Sequence, residues 1–164
     1  MVSRFIFVSI FILFLAVGTA FARDISTSAT HAILIDAETG DIILDKNADE
    51  IMKPASMTKI MTAYLIFERL KDGRLALDDT FPVSERAWRK GGSKMFIEVG
   101  NSVSVEDLLQ GVIVQSGNDA SIALAEGIYG SEEDFSAEMN HVAEKLGMAD
   151  TNFMNATGWP DEEH

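Results

Sequence analysis

The 164-residue chain has no cysteine, only three prolines, no internal repeat and no low-complexity tract. Without cysteine, neither a disulfide framework nor thiolate chemistry is available. Basic residues are scarce as well: 13 Lys and Arg stand against 26 Asp and Glu, a net charge of −13. Binding to nucleic acid depends on Lys and Arg neutralising phosphates, so this balance argues against it. The histidines are few too. His31, His141 and His164 lie far apart, and no two are spaced to share a helix face. The sequence therefore implies no metal site and no cofactor.

One long hydrophobic run opens the chain. Residues 1–22, MVSRFIFVSIFILFLAVGTAFA, carry one charge at Arg4 and an apolar run from Phe5 to Val17 broken only by Ser9. Ala20-Phe21-Ala22 fits the small-residue cleavage pattern of a secretory signal peptide. The alternative is an uncleaved anchor, but the 13-residue run is short of the roughly 20 residues that span a bilayer. Cleavage after Ala22 leaves residues 23–164 with 12 basic and 26 acidic groups, the size of one ordinary domain. An exported location follows.

Thr30–Asp36 and Asp41–Asp45 are short β-rich runs joined through Gly40, the pattern of a β-hairpin. A helix is expected from Lys53-Pro54 to Gly73, since proline suits a first turn. A second begins after Ser104 with Asp107 completing a cap, a third near Asp119, and a fourth runs from Ser131 to a Gly147 cap. Asp78-Asp79 with Pro82, and the stretch 86–103, read as loops. The order, a hairpin and then helices with no later strands, leaves a sheet unfinished. The expectation is the N-terminal part of a longer protein.

Chemistry concentrates at two places. The first helix, PASMTKIMTAYLIFERL from 54 to 70, is apolar on every face, the pattern of a buried helix. Lys59 sits in its first turn, where the dipole already opposes positive charge. A buried lysine must be paired, neutral or useful. Ser56 lies three residues before it and so shares its face. An ordinary lysine is neutral in about one molecule in a few thousand at pH 7. Burial and the helix end should lower its pKa enough for it to act as a base on Ser56. A first-turn N–H, that of Ser56, is free to face an oxyanion. The second place is Ser116-Gly117-Asn118, a break between two apolar helices. Each motif alone has a plain reading: a capping serine with a solvent-seeking lysine, and an ordinary turn.

Together, S-x-x-K at 56–59 and S-x-N at 116–118 resemble the active-site serine penicillin-recognising proteins. ILIDAETGDIILDKNADEIMKPASMTKIMTAYLIFE, LLQGVIVQSGNDASIALAE and LGMADTNFMNATG resemble the D-alanyl-D-alanine carboxypeptidases, low-molecular-mass penicillin-binding proteins of peptidase family S11. The resemblance implies an α/β (α+β) fold of the β-lactamase and penicillin-binding transpeptidase type. It would be incomplete here, with an N-terminal hairpin and the helical region but without the C-terminal strands. It implies that Ser56 is the nucleophile, Lys59 the general base, Ser116 a proton relay and Asn118 a hydrogen-bond partner of substrate and lysine. It also implies a peptidoglycan stem peptide ending in D-Ala-D-Ala as substrate, β-lactams as covalent inhibitors, and possible membrane attachment through a C-terminal segment absent here.

The family's third motif, K-T-G, is missing: neither Thr39-Gly40 nor Thr157-Gly158 follows a lysine. The 164 residues by themselves are therefore expected to be inactive or nearly so. A serine β-lactamase and a non-catalytic cell-wall-binding relative stand as alternatives. Asn155-Ala156-Thr157 reads as a chance sequon, and Met52, Met57 and Met61 as core residues. Gly91-Gly92-Ser93 reads as a surface loop in preference to a cleft edge.

Overall fold

The computed structural model describes residues 25–164, and the expected signal peptide lies outside them. The described residues form two units, one ending at Met52 and one spanning Lys53–His164.

The first unit is the expected hairpin. Strand β1 (Ala32–Ile35) pairs antiparallel with β2 (Ile42–Lys46). Asp36 folds the connecting turn, its carboxylate accepting from the N–H groups of Glu38 at 2.9 Å and Thr39 at 2.8 Å. Those amides hold the Asp36 carboxyl below the usual carboxylate range.

The second unit is built on four long helices, the first of which starts later than the sequence predicts. Residues 55–57 form a short 3-10 turn, and the α-helix starts only after it, α1 (Thr58–Lys71). Ala55 has a φ of +48°, a left-handed conformation that α-helix cannot continue through. The far end of α1 closes as expected at Gly73: Arg74 N–H reaches Arg69 O at 3.0 Å and Gly73 N–H reaches Leu70 O at 3.2 Å, a Schellman motif.

The stretch read as loop is more ordered than its pattern suggests. Thr80–Pro82 (β3) pairs antiparallel with Ser102–Ser104 (β4), and α2 (Glu85–Arg89) starts at Ser84, whose hydroxyl accepts from Ala87 N–H. Both strands have three residues, too few for alternation to stand out. Proline is tolerated in β3 because a two-stranded ladder leaves every strand with a free edge.

The remaining helices begin where their caps predict. Ser104 accepts from Asp107 N–H at 3.1 Å and donates to its carboxylate at 2.7 Å, starting α3 (Val105–Gln115). The next is α4 (Asn118–Tyr129), followed by α5 (Glu132–Lys145) with Ser131 as its cap. Gly147 closes α5 through a second Schellman pair.

Helix α4 is the centre of this unit: Ala120, Ile122, Ala123, Leu124 and Ala125 are fully enclosed among Ile66, Leu108, Phe135 and Met139. Helix α1 is not buried all round, contrary to the expectation. It packs Met61, Leu65 and Ile66 inward, whereas Ile60 is 73% and Phe67 50% exposed. With Tyr64 these form a line at helical spacing along one face. Met57 and Met52 are likewise exposed, so only Met61 of the three methionines serves the core.

Buried Glu132 ties three segments together. Its carboxylate accepts from Arg86 of α2 at 2.7 Å and from Ala156 N–H at 3.1 Å, and it sits in the first turn of α5, where negative charge is favoured. Arg86 also grips Glu133 with two bonds, at 2.8 and 3.1 Å. Replacing Glu132 with Ala strands a buried N–H and one side of a guanidinium, which should cost about 2 kcal/mol. The urea midpoint measures this, and a variant as stable as the wild type would refute the tie.

Candidate active site

Ser56 stands in the 3-10 turn with its side chain exposed, and Lys59 enters the protein in the first turn of α1 at 5% exposure. The Lys59 Nζ lies 3.3 Å from Ser56 Oγ and donates to Thr157 O at 2.8 Å. No carboxylate pairs with it among the described residues; its two neighbours are a hydroxyl and a carbonyl. Burial pushes its pKa from 10.5 down to about 8. At pH 7 roughly one molecule in ten then carries the neutral amine, about 300 times the fraction of a solvated lysine.

The carbonyl that holds Lys59 belongs to a strap, residues 153–158, laid across the start of α1. Its conformation is fixed bond by bond. Asn155 Oδ1 accepts from Thr157 N–H, Thr157 Oγ1 and Trp159 N–H at 3.1, 2.8 and 2.9 Å. Ala156 O accepts from buried Thr62 Oγ1 at 2.8 Å. Gly158, at φ +75°, passes so close to the turn that a Cβ would collide with Ala55 O. The triplet Asn155-Ala156-Thr157 is thus a structural knot, not an idle sequon.

Ser116 caps the end of α3 at φ +53°, and Gly117 then turns the chain into α4. Ser56, Lys59 and Ser116 line one cavity of about 460 Å³, whose apolar wall is Ile60, Ala63, Tyr64, Phe67, Val112 and Ile113. The exposed line on α1 is therefore the wall of this cleft. Asn118 begins α4 next to it and is buried, its Nδ2 donating to Gly91 O at 2.8 Å. Among the described residues no hydrogen bond joins Asn118 to Lys59.

That bond to Gly91 changes the reading of the glycine loop. Asn118 N–H also reaches Ser93 O at 2.8 Å, and a Cβ at Gly92 would come within 2.6 Å of Asn118 Nδ2. Gly91-Gly92-Ser93 therefore lies directly against the second motif. Asp119 fastens the continuation of the loop: its fully buried carboxylate accepts from the N–H groups of Met95, Phe96 and Ile97 at 3.0, 3.0 and 3.3 Å. Wrapping around that carboxylate puts Phe96 at φ +63°, a strained conformation for a bulky side chain. In the sequence Asp119 reads only as a helix start. The acidic residue directly after Ser116-Gly117-Asn118 was the available signal.

Comparison with known proteins places this arrangement. The crystal structure of the D-alanyl-D-alanine carboxypeptidase DacD from Francisella tularensis matches with a TM-score of 0.84 at 43% identity, covering 93% of this chain and 37% of that one. Penicillin-binding protein D2 from Listeria monocytogenes, solved with ampicillin bound, matches with a TM-score of 0.75 at 31% identity, over 87% of this chain and 57% of that one. The fold is that of the penicillin-binding proteins and D-Ala-D-Ala carboxypeptidases. The sequence profile of D-alanyl-D-alanine carboxypeptidase, peptidase S11, matches residues 18–164, and the chain belongs to that family. D-alanyl-D-alanine carboxypeptidase DacF of Bacillus subtilis (strain 168) is 45% identical over 141 residues, which is 86% of this chain and 36% of DacF. The chain thus spans little more than a third of that relative's length.

Replacing Asp119 with Ala leaves three loop N–H groups inside the protein without an acceptor. A loss of about 3 kcal/mol is expected, with the loop's amides exchanging faster than the helices'. Unchanged stability and exchange would contradict the anchoring role.

Proposed function

We propose that the protein of which this chain is part is an exported serine-type D-alanyl-D-alanine carboxypeptidase acting in the periplasm or at the outer face of the cytoplasmic membrane. Its substrate is a peptidoglycan stem peptide ending in D-Ala-D-Ala, and β-lactams acylate the same serine, as the ampicillin-bound Listeria relative suggests. The observation that carries this reading is the Lys59 amine, buried, without a carboxylate partner among the described residues, and 3.3 Å from Ser56 Oγ.

In the first half-reaction neutral Lys59 takes the Ser56 hydroxyl proton while Oγ bonds to the carbonyl carbon between the two D-alanines. The Ser56 N–H stabilises the oxyanion. The carbon–nitrogen bond then breaks, and the proton passes from the Lys59 ammonium, by way of the Ser116 hydroxyl, to the departing D-Ala amine. In the second half water attacks the ester, Lys59 accepts the water's proton, and Ser56 regains its hydrogen. Asn118 keeps its Nδ2 on Gly91, which fixes its amide plane, and would hydrogen-bond substrate and lysine once substrate is bound.

Acylation by fluorescent penicillin tests the reading in the full-length protein. Ser56→Ala should abolish labelling. Because the reactive form of Lys59 is the neutral one, the acylation rate should rise with pH and level off above about 8. Lys59→Arg, which cannot deprotonate, should slow acylation by about a thousandfold or more. Labelling that survives Ser56→Ala, or a rate flat from pH 6 to 9, would overturn this reading. Rapid release of hydrolysed penicillin in place of a lasting adduct would point to a β-lactamase instead.

A further inference from the structure

His164 does not appear in the mechanism above, yet it meets both segments that fix Lys59. Its Nε2 lies 2.7 Å from Thr58 Oγ1, on the residue directly before Lys59, and its Nδ1 accepts from Met154 N–H at 3.0 Å. The ring stacks edge-on against Phe153, with centroids 5.9 Å apart. Phe153 is itself pinned by Asn140, which accepts from its N–H at 2.6 Å and donates to its carbonyl at 2.9 Å. The imidazole is therefore a bridge between the start of α1 and the beginning of the strap that ends in the Thr157 carbonyl. Thr58 is almost completely buried, so its hydroxyl depends on a partner inside the protein.

We propose that His164 is a positioning residue: its neutral imidazole clasps the strap to the first turn of α1 and so keeps the Thr157 carbonyl on Lys59. The inference rests on the carboxypeptidase reading for its kinetic consequence, but the clasp can be tested without it.

The bond pattern fixes which form of the ring works. Met154 N–H is a donor, so Nδ1 must be bare, and the proton sits on Nε2, where it is donated to Thr58 Oγ1. A second proton on Nδ1 would face Met154 N–H donor to donor and open the clasp. The surroundings resist that protonation. Burial lowers the imidazole pKa, Lys53 lowers it further, and only Asp161 pulls the other way. The folded protein therefore binds this proton less readily than the unfolded chain. The clasp's contribution to stability is complete above about pH 6.5 and is lost as the pH falls through the lowered folded value.

Two ionisations then act in sequence on acylation. Between the Lys59 and His164 values the rate falls about tenfold per pH unit, and just below the His164 value it falls more steeply, up to about a hundredfold per unit, until the further ten- to hundredfold loss of the open clasp is reached. In full-length His164→Gln and His164→Ala the fall should stay at tenfold per unit throughout. At pH 8 the alanine variant should acylate more slowly, by between about tenfold and a hundredfold, because the amine is no longer held in line. Thr58→Val, which keeps the ring and removes its partner, should slow acylation similarly and serves if the His164 variants do not fold. The clasp is read separately by hydrogen exchange: the Met154 and Thr157 amides should exchange at least tenfold faster in His164→Ala or Thr58→Val than in the wild type. A wild type with a single ionisation on its acid side, or unchanged exchange at both amides, overturns the proposal. Faster exchange in variants of a wild type that penicillin never labels would leave the clasp standing and sink the carboxypeptidase reading alone.

Discussion

The structure of Lys53–His164 turns on one ammonium taken out of water. Among the described residues, buried Lys59 has a serine hydroxyl and the Thr157 carbonyl within hydrogen-bond reach and no carboxylate. A carboxylate would have been the ordinary partner for a buried lysine, and it would have held the proton in place. A carbonyl does something different. It orients the amine by accepting one N–H, yet it carries no net charge, so desolvation prevails and the pKa falls to about 8. The left-handed turn at Ala55, the close approach of Gly158 and the internal bonding of Asn155 all serve to bring that one carbonyl to the right place.

Acidic residues organise the site while standing back from the amine. The chain has 26 of them, and most are on the surface. Among the described residues two are buried, Asp119 and Glu132, and each uses its carboxylate to hold backbone N–H from a segment without regular structure, three groups for Asp119 and one for Glu132. Asp119 shapes the loop against which Asn118 rests. Glu132 holds Ala156, next to the residue that binds Lys59. Each sits in the first turn of a helix, where the free N–H groups and the dipole offset the cost of burying a negative charge. The segments that hold Asn118 and Lys59 are thus fixed by the same device.

The helices and their ends could be read from the sequence because caps are local. Ser104 with Asp107, Ser131, Gly73 and Gly147 each act within four residues of themselves. The pairing of Ser56 with Lys59 was readable for the same reason, since three residues of helical rise bring them together. The β3–β4 pair and α2 were missed because elements of three to five residues are too short to impose a period. The reading of α1 as apolar all round was right about composition and wrong about burial. An apolar face can line a cleft as well as a core, and hydropathy does not separate the two. The strap was harder still. Its contacts join residues about a hundred positions apart, as Lys59 with Thr157 and Thr58 with His164, and no local pattern announces such a pairing.

The exposed apolar line on α1 now has a physical role. Ile60, Tyr64 and Phe67 cover one side of the cavity into which Ser56 and Lys59 open. Polar groups there would solvate the ammonium and return its pKa toward the usual lysine value; aliphatic and aromatic surface withholds that solvation. The opposite extreme would fail as well. A lysine driven far below neutrality would always be deprotonated but would be too weak a base to draw a proton from a hydroxyl. Proton transfer is fastest when the base is both largely free at the working pH and still strong, a compromise reached when its pKa lies near that pH. A half-open cavity with an apolar wall and one carbonyl contact meets that requirement, where full enclosure or a carboxylate partner would overshoot it in opposite directions.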